Sequence, residues 1–275
     1  MGLVVRDDGW RIPDALWERI EPLLPPRPVH PLGCHNPRVP DRDAMNAILL
    51  VLRTGMQWNA LDATGICSSS SAHRRFTEWT TAGVFERLWR KELVAYDAEH
   101  GIDWDWLALD GAMTKAPLGG NHTGPNPTDR AKKGAKRSLL TDATGIPLSV
   151  SIAGANRNDH KLARETLRGI MVARPEPTEK RPQGLCLDKG YDFDEVRDLA
   201  QEFGFTLHLR TRGEEIAAIR QEAGWRARRW VVERTHSWLN RFRRLLIRWE
   251  KLPQNYLAML QLACALITWR QRLPA

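Results

Sequence analysis

Between residues 104 and 210 the apolar residues change period, and this limits what the chain can fold into more than any other feature. Trp106-Leu-Ala-Leu-Asp110 is a short apolar run ending in an acid, and Leu185-Cys-Leu-Asp188 is a second. Residues 136–141 and 147–153 flank Asp142-Ala-Thr-Gly145, which has the chemistry of a turn between two strands. Asp142 sits in that turn and reads as structural. Helical spacing returns over residues 159–172 and 193–203, and residues 205–210 read as a further strand. Strands, a hairpin, then strand–helix alternation describe a mixed α/β sheet with helices packed on it.

Both flanks have helical spacing. Leu16, Ile20, Leu23 and Leu24 line one helix that stops at Pro25, Pro26 and Pro28, and residues 28–40 read as a loop. Asp41 caps the next, whose apolar face is Met45, Ile48, Leu49 and Leu52, with Gly55 after its end. The serine run at 68–71 starts a third helix carrying Phe76 and Trp79 and stopped by Gly83. A fourth carries Val84, Leu88, Leu93 and Tyr96 before Gly101. Beyond Trp225, Val231, Trp238, Phe242, Leu245 and Trp249 form one continuous helical stripe. Pro253 interrupts it, and residues 257–269 are a second apolar helix. The expected organisation is a helical domain over residues 1–101 and an α/β domain over residues 102–275.

With 41 Lys and Arg against 33 Asp and Glu, the net charge of +8 favours a polyanionic partner, nucleic acid or an anionic membrane surface. No apolar run approaches the roughly 20 residues that span a bilayer. Residues 1–10 include Arg6, Asp7 and Asp8 and have no apolar signal region. Cys34, Cys67, Cys186 and Cys264 are scattered, with no Cys-x-x-Cys pair, and fit core positions in a reducing compartment. The expectation is a cytoplasmic, nucleoid-associated protein with no membrane partner.

Asp110 and Asp188 read as the C-terminal ends of apolar strands, where side chains of an α/β sheet converge on a ligand crevice. Glu233 lies on the long helix, on the face away from the apolar stripe, together with Ser237, Asn240 and Arg244. Packed beside the first strand, that helix would let Glu233 complete a carboxylate cluster. Three carboxylates suit hard divalent cations such as Mg²⁺. Two such ions can activate the attacking oxygen and stabilise the leaving oxygen of a phosphoryl displacement. Among 33 acids some Asp–Asp–Glu order always occurs, so the surrounding residues, not the order, carry the reading.

Those surroundings resemble one family. Leu109-Asp110-Gly111, then Gly124-Pro-Asn-Pro-Thr-Asp-Arg-Ala-Lys-Lys-Gly-Ala-Lys-Arg-Ser138, look like the catalytic domain of bacterial insertion-sequence transposases, family five. So do Asp142-Ala-Thr-Gly-Ile-Pro-Leu148, Gly154-Ala-Asn-Arg-Asn-Asp-His160 and Asp188-Lys-Gly-Tyr-Asp192. Arg229-Trp-Val-Val-Glu-Arg-Thr-His-Ser-Trp-Leu-Asn-Arg-Phe-Arg-Arg244 resembles the family's Arg-x-x-x-Glu signature around its catalytic glutamate. Ala47-Ile-Leu-Leu-Val-Leu-Arg-Thr-Gly55 and His73-Arg-Arg-Phe76 are similar to its end-binding region. Two positions depart: Arg226 stands where related families have Tyr, and Asn240 where Lys is frequent.

The resemblance implies an RNase H-like catalytic fold, Mg²⁺ dependence with Mn²⁺ as a substitute, and action on terminal inverted repeats of double-stranded DNA. Asp110, Asp188 and Glu233 would then be both catalytic residues and metal ligands. Cutting two ends together implies a homodimer in the DNA complex.

The basic residues are read in that light. Lys132, Lys133, Lys136 and Arg137 follow the first strand, and Arg226, Arg228, Arg229, Arg234, Arg241, Arg243, Arg244 and Arg248 load the long helix. Arginine suits bidentate phosphate contact. His73, Arg74 and Arg75 lie early in the second of two helices that resemble a helix-turn-helix unit, where base edges are reached. The expected DNA contacts are therefore His73, Arg74, Arg75, Lys132, Lys133, Lys136, Arg137, Arg229, Arg241 and Arg244. Two other readings remain open at this stage. A domesticated regulator would use the helices and basic face without the acids, and a nuclease on RNA–DNA hybrids would have no need of the N-terminal helices.

Overall fold

The computed structural model describes residues 9–26, 38–209 and 230–273. Four helices come first: α1 (Asp14–Ile20), α2 (Asp41–Thr54), α3 (Ser69–Thr81) and α4 (Val84–His100). Local chemistry sets their ends. Gly55 closes α2 in the left-handed region that glycine adopts without strain (φ 72°). Ser68 caps α3, its side chain accepting from Ser71 N at 3.3 Å. Asp41 is the first helical residue of α2, with Pro40 in the capping position.

The link from α2 to α3 differs from the expected tight turn. It runs over residues 55–68 and contains a 3-10 helix, Trp58–Thr64, whereas a helix-turn-helix joins its helices through about 3–4 residues. Trp58 packs on Phe76 and meets His73 edge-on, so the connection is part of the core rather than a bare turn.

The sheet comprises β1 (Trp106–Lys115), β2 (Gly124–Pro125), β3 (Lys133–Thr141), β4 (Pro147–Gly154), β5 (Gln183–Leu187) and β6 (Phe205–Leu209). β4, β3 and β1 lie side by side and antiparallel; β5 and β6 continue outward parallel to β1. Three antiparallel strands extended by two parallel ones make this the mixed sheet of an RNase H-like fold. In the β3–β4 turn, Asp142 is fully buried and accepts from Thr144 N at 2.9 Å and Ile146 N at 2.8 Å, the structural role its setting indicates.

Helices cover both faces. α5 (His160–Arg168) and α7 (Trp230–Asn240) both pack on β3. Successive β3 residues point to opposite faces: Thr166 of α5 donates to Ser138 Oγ, and Arg137 bonds to Asn240 of α7. α6 (Asp194–Glu202) lies against β6.

The last helix, α8 (Pro253–Arg272), is buried on nearly every side, as a helix apolar around its whole circumference must be. It packs chiefly on α4 and also on β4, α3 and α7. One hydrophobic core therefore runs from Ile12 to Trp269 across the boundary between residues 101 and 102. Glu92 of α4, fully buried, is held by Arg19 of α1 and by Arg272 at the end of α8. Among the described residues no helix is long and apolar enough to cross a membrane.

The long basic helix is a further correction. The chain leaves the helix after Asn240, and Phe242 is already extended (ψ 95°). Ile247 instead bridges to Lys115 at the far end of β1, with Arg248 N donating to Lys115 O at 2.8 Å. Arg248 is fully buried and donates to the carbonyls of Asn121 (2.6 Å), His122 (2.9 Å), Glu250 (2.9 Å) and Lys251 (3.3 Å). Phe242 and Leu245 stay in the core, but Trp249 is 38% exposed, so the expected stripe is not continuous.

Candidate active site

β1 extends five residues past Asp110, because its antiparallel partner β3 continues to Gly134. Asp110 is thus inside a strand rather than at its end. The parallel neighbour β5 stops at Leu187. Ala108 is aligned with Cys186, and the same register carried two places sets Asp110 beside Asp188. Both acids therefore stand where β5 ends and the edge of β1 becomes open. Asp188 opens a 3-10 turn and accepts from Gly190 N at 2.9 Å.

Glu233 arrives from α7, which packs on β1 and β3. Three contacts seat that helix. Thr235 Oγ1 donates to Gly145 O at 2.7 Å, Arg234 Nη2 donates to Thr144 O at 2.5 Å, and Arg137 Nη2 donates to Asn240 Oδ1 at 2.7 Å. Gly145 lies in the left-handed region (φ 87°), and a Cβ there would press on Arg234 and Thr235, so the turn must be bare for α7 to sit on it. Glu233, Ser237 and Asn240 are exposed along one side of α7, as their spacing indicates.

Burial pushes the Asp110 carboxyl up to about 7; the charges of Asp188, Asp159 and Glu233 add to the rise, and a hydrogen bond from Gly111 opposes it. Asp110 therefore feels the other two predicted acids and a fourth, Asp159, the first residue of the stretch with helical spacing over residues 159–172. Among the described residues no three His, Cys, Asp or Glu side chains stand at metal-ligand spacing. The group is an electrostatic cluster, with its carboxylates apart.

His236, one turn beyond Glu233, puts Nε2 3.8 Å from Asp110 Oδ2, beyond hydrogen-bond reach. Burial, reinforced by Arg137, pushes its imidazole down to about 3, so the ring is neutral and adds no charge. Tyr191 is buried beneath the acids, and burial together with Asp159, Asp110 and Asp188 drives its hydroxyl far from ionising. It lies in the core and does not face outward to a DNA strand.

A family model for the transposase DDE domain matches residues 105–268, and a model for transposases assigned to the IS4/5 family matches residues 12–89. The chain belongs to the DDE transposases of the IS4/5 family. It is similar to a protein assigned as the transposase of insertion sequence element IS402 from Burkholderia cepacia, 43% identical over 157 residues, 54% of this chain and 68% of that one. A 16.2 kDa protein of the same element is 39% identical over 120 residues, 42% of this chain and 80% of that one. Among solved structures, the Mos1 mariner paired end complex with Mn aligns over 89% of this chain and 82% of its own, at 12% identity and a TM-score of 0.29. As a DDE transposase the protein is a polynucleotidyl transferase.

The basic residues of the transposase fall into two groups. His73 and Arg74 on α3, Lys132 and Lys133 at the head of β3, and Arg241 after α7 are exposed. Arg75, Lys136, Arg137 and Arg244 are buried. Arg75 pairs with Glu78 and approaches Asp41 at 3.6 Å; Arg244 Nε pairs with Glu250 at 2.7 Å. Lys136 Nζ pairs with Asp159 at 2.9 Å. These four charges serve internal partners rather than an outer surface, because a buried cation needs a fixed counter-charge or acceptor. Arg229, with Trp225, Arg226 and Arg228, lies outside the described residues. Arg234 stacks between Trp230 and Trp238, 4.6 Å and 4.8 Å from their ring centroids.

Asp159 is the site residue that sequence reasoning missed. It stands just before α5 and rests on Gly111, where a Cβ would collide with its Oδ1. The one available signal was a glycine directly after an acid inside a strand, a position at which glycine is otherwise unfavourable.

Proposed function

We propose that the transposase binds the terminal inverted repeats of its element and cuts and joins DNA with divalent cations held by Asp110, Asp188 and Glu233. The observation that carries this reading is the placement of the three acids: the β1–β5 register sets Asp110 beside Asp188 where β5 ends, and α7, packed on β1 and β3, brings Glu233. Burial first, and the nearby acids second, push the Asp110 carboxyl up to about 7. Three carboxylates from two strands and a helix fit a divalent cation, whose charge would offset theirs. Bound there, a pair of ions, Mg²⁺ or Mn²⁺, supplies activation of the attacking oxygen and stabilisation of the leaving one.

The chain's own residues supply the rest. Asp110 and Asp188, adjacent in the strand register at the end of β5, would hold the cations from the sheet. Glu233, carried by a helix anchored to β3 and the β3–β4 turn, would hold from the other side. His236, buried and held down to about 3, is too weak a base to take a proton near neutral pH. In the first step water breaks a phosphodiester bond and leaves a 3′-hydroxyl. In the second that hydroxyl attacks a target phosphorus: one P–O bond forms and one breaks, and the displaced 3′ oxygen leaves. The exposed His73, Arg74, Lys132, Lys133 and Arg241 would contact DNA, and cutting two ends together calls for a homodimer in the DNA complex.

The test is strand cleavage of a labelled duplex carrying the element's own repeat, with Mg²⁺ or Mn²⁺, for wild type, Asp110→Asn and Glu233→Ala. Nicking at the repeat boundary that both substitutions abolish, with duplex binding kept, is the expected result. Tight binding with no cleavage in either metal would replace this reading with that of a DNA-binding regulator.

A further inference from the structure

Lys136 and Asp159 are an ion pair that the expected DNA contacts leave unexplained. Lys136 lies on β3 and is 6% exposed; Asp159 comes from the segment before α5. Asp159 Oδ2 accepts from Lys136 Nζ at 2.9 Å. Its other oxygen, Oδ1, is buried without a hydrogen-bond partner and pressed against the bare Cα of Gly111. A buried carboxylate oxygen left unpaired is unfavourable, because it gives up its hydration without a replacement donor. Its position is nevertheless enforced from two sides, by the lysine that grips one oxygen and by the glycine that admits the other.

Gly111 follows Asp110 directly, so Asp159 delivers its charge beside the catalytic strand and across the open edge of β1. Lys136 fixes where that charge stands and offsets part of it. The pair lies on the face of β1 that carries Gly111 and Met113, whose Cα partners Lys136. Asp110, one position before Gly111, points to the other face, so the charge of Asp159 reaches it across the strand.

We propose that Lys136 and Asp159 are a positioning pair for the carboxylate site, in which Asp159 supplies a fourth negative charge that strengthens cation binding and Lys136 sets its place and limits its size. This rests on the reading of Asp110, Asp188 and Glu233 as cation ligands. Asp159 acts through the field at Asp110 and not as a ligand, since its accessible oxygen is committed to Lys136.

The experiment is calorimetric titration of the full chain with MnCl₂ in the absence of DNA, paired with thermal melting of the metal-free proteins. Asp159→Asn keeps the shape and removes the charge, and it should weaken Mn²⁺ binding roughly fivefold. Gly111→Ala, which forces Oδ1 away from the strand, should do the same while leaving Asp159 ionised. Lys136→Met should tighten Mn²⁺ binding and lower the metal-free melting temperature, and Lys136→Arg should restore both. A merely structural pair would lower melting in every variant and leave Mn²⁺ affinity alone. Wild-type affinity in folded Asp159→Asn and Gly111→Ala, with Asp110→Asn no longer binding Mn²⁺, would overturn the positioning role and leave the proposed function standing. No Mn²⁺ binding by wild type would overturn both.

Discussion

Arg137, inside β3, donates Nη2 to Asn240 Oδ1 at the end of α7, 2.7 Å away, and so joins the catalytic sheet to the helix that carries Glu233. The two residues are 103 positions apart in sequence. Asn240 stands where the resemblance puts a frequent lysine, and its partner here is Arg137 of the sheet. Asn240→Ala should leave the buried guanidinium short of an acceptor and cost about 1–3 kcal/mol in urea denaturation. It should also reduce cleavage more than DNA binding, because the helix loses one of its three anchors. Unchanged stability together with unchanged cleavage would remove this contact from the account.

Burial of His236 should make the fold sensitive to acid. Its folded value of about 3 lies below the usual histidine value near 6.5, so its contribution to stability is complete above 6.5 and falls away as pH drops toward 3. Over that window the loss is at most about 1.4 kcal/mol per pH unit. His236→Gln should therefore flatten the stability curve between pH 6.5 and 4. Parallel curves for the two proteins would place the acid sensitivity elsewhere.

Salt dependence separates exposed from buried cations. Arg74→Ala and Lys133→Ala should each weaken duplex binding and reduce the slope of log K against log salt by about one, with melting unchanged. Arg75→Ala should lower the melting temperature, because it strips Glu78 and Asp41 of a buried partner. An Arg75 variant of wild-type stability that lost DNA affinity would reverse the assignment of the two neighbours.

Arg272 and Glu92 close the molecule. Glu92 is fully buried and Arg272 Nη1 lies 2.5 Å from its carboxylate, with Arg19 on the other oxygen. Arg272→Ala leaves Glu92 one cation rather than two and should cost about 2–3 kcal/mol, measured by urea denaturation. A loss below about 0.5 kcal/mol would mean that Arg19 alone satisfies Glu92.

Much of this arrangement was legible in the sequence. The strands, the hairpin at Asp142 and the N-terminal helices follow local rules of period, capping and turn chemistry, and those rules act over a few residues. What was not legible depends on distant partners. The helix beyond Asn240 ends because Ile247 pairs with Lys115, more than a hundred positions earlier, and no local feature announces it. Lys136 and Arg137 read as surface cations because their acceptors, Asp159 and Asn240, come from other elements. Asp110 looked like a strand end because the strand's continuation, from Gly111 to Lys115, has little apolar character. Asp159 was hidden for the opposite reason: its local role as the start of α5 was sufficient explanation, and its nearness to Asp110 arises only when β1, β3 and α5 assemble.

The position of α8 has a consequence for synthesis. Trp89, Leu93 and their neighbours on α4 share one core with residues that follow them by more than 150 positions. At about 5–20 residues per second, translation leaves α1–α4 without that cover for many seconds after α4 has emerged from the ribosome. The core side of α3 and α4 is thus covered only once α8 is made, and a nascent chain stalled before Pro253 should expose α4 to protease. Such a chain would lack a finished helical core while still tethered beside its own message.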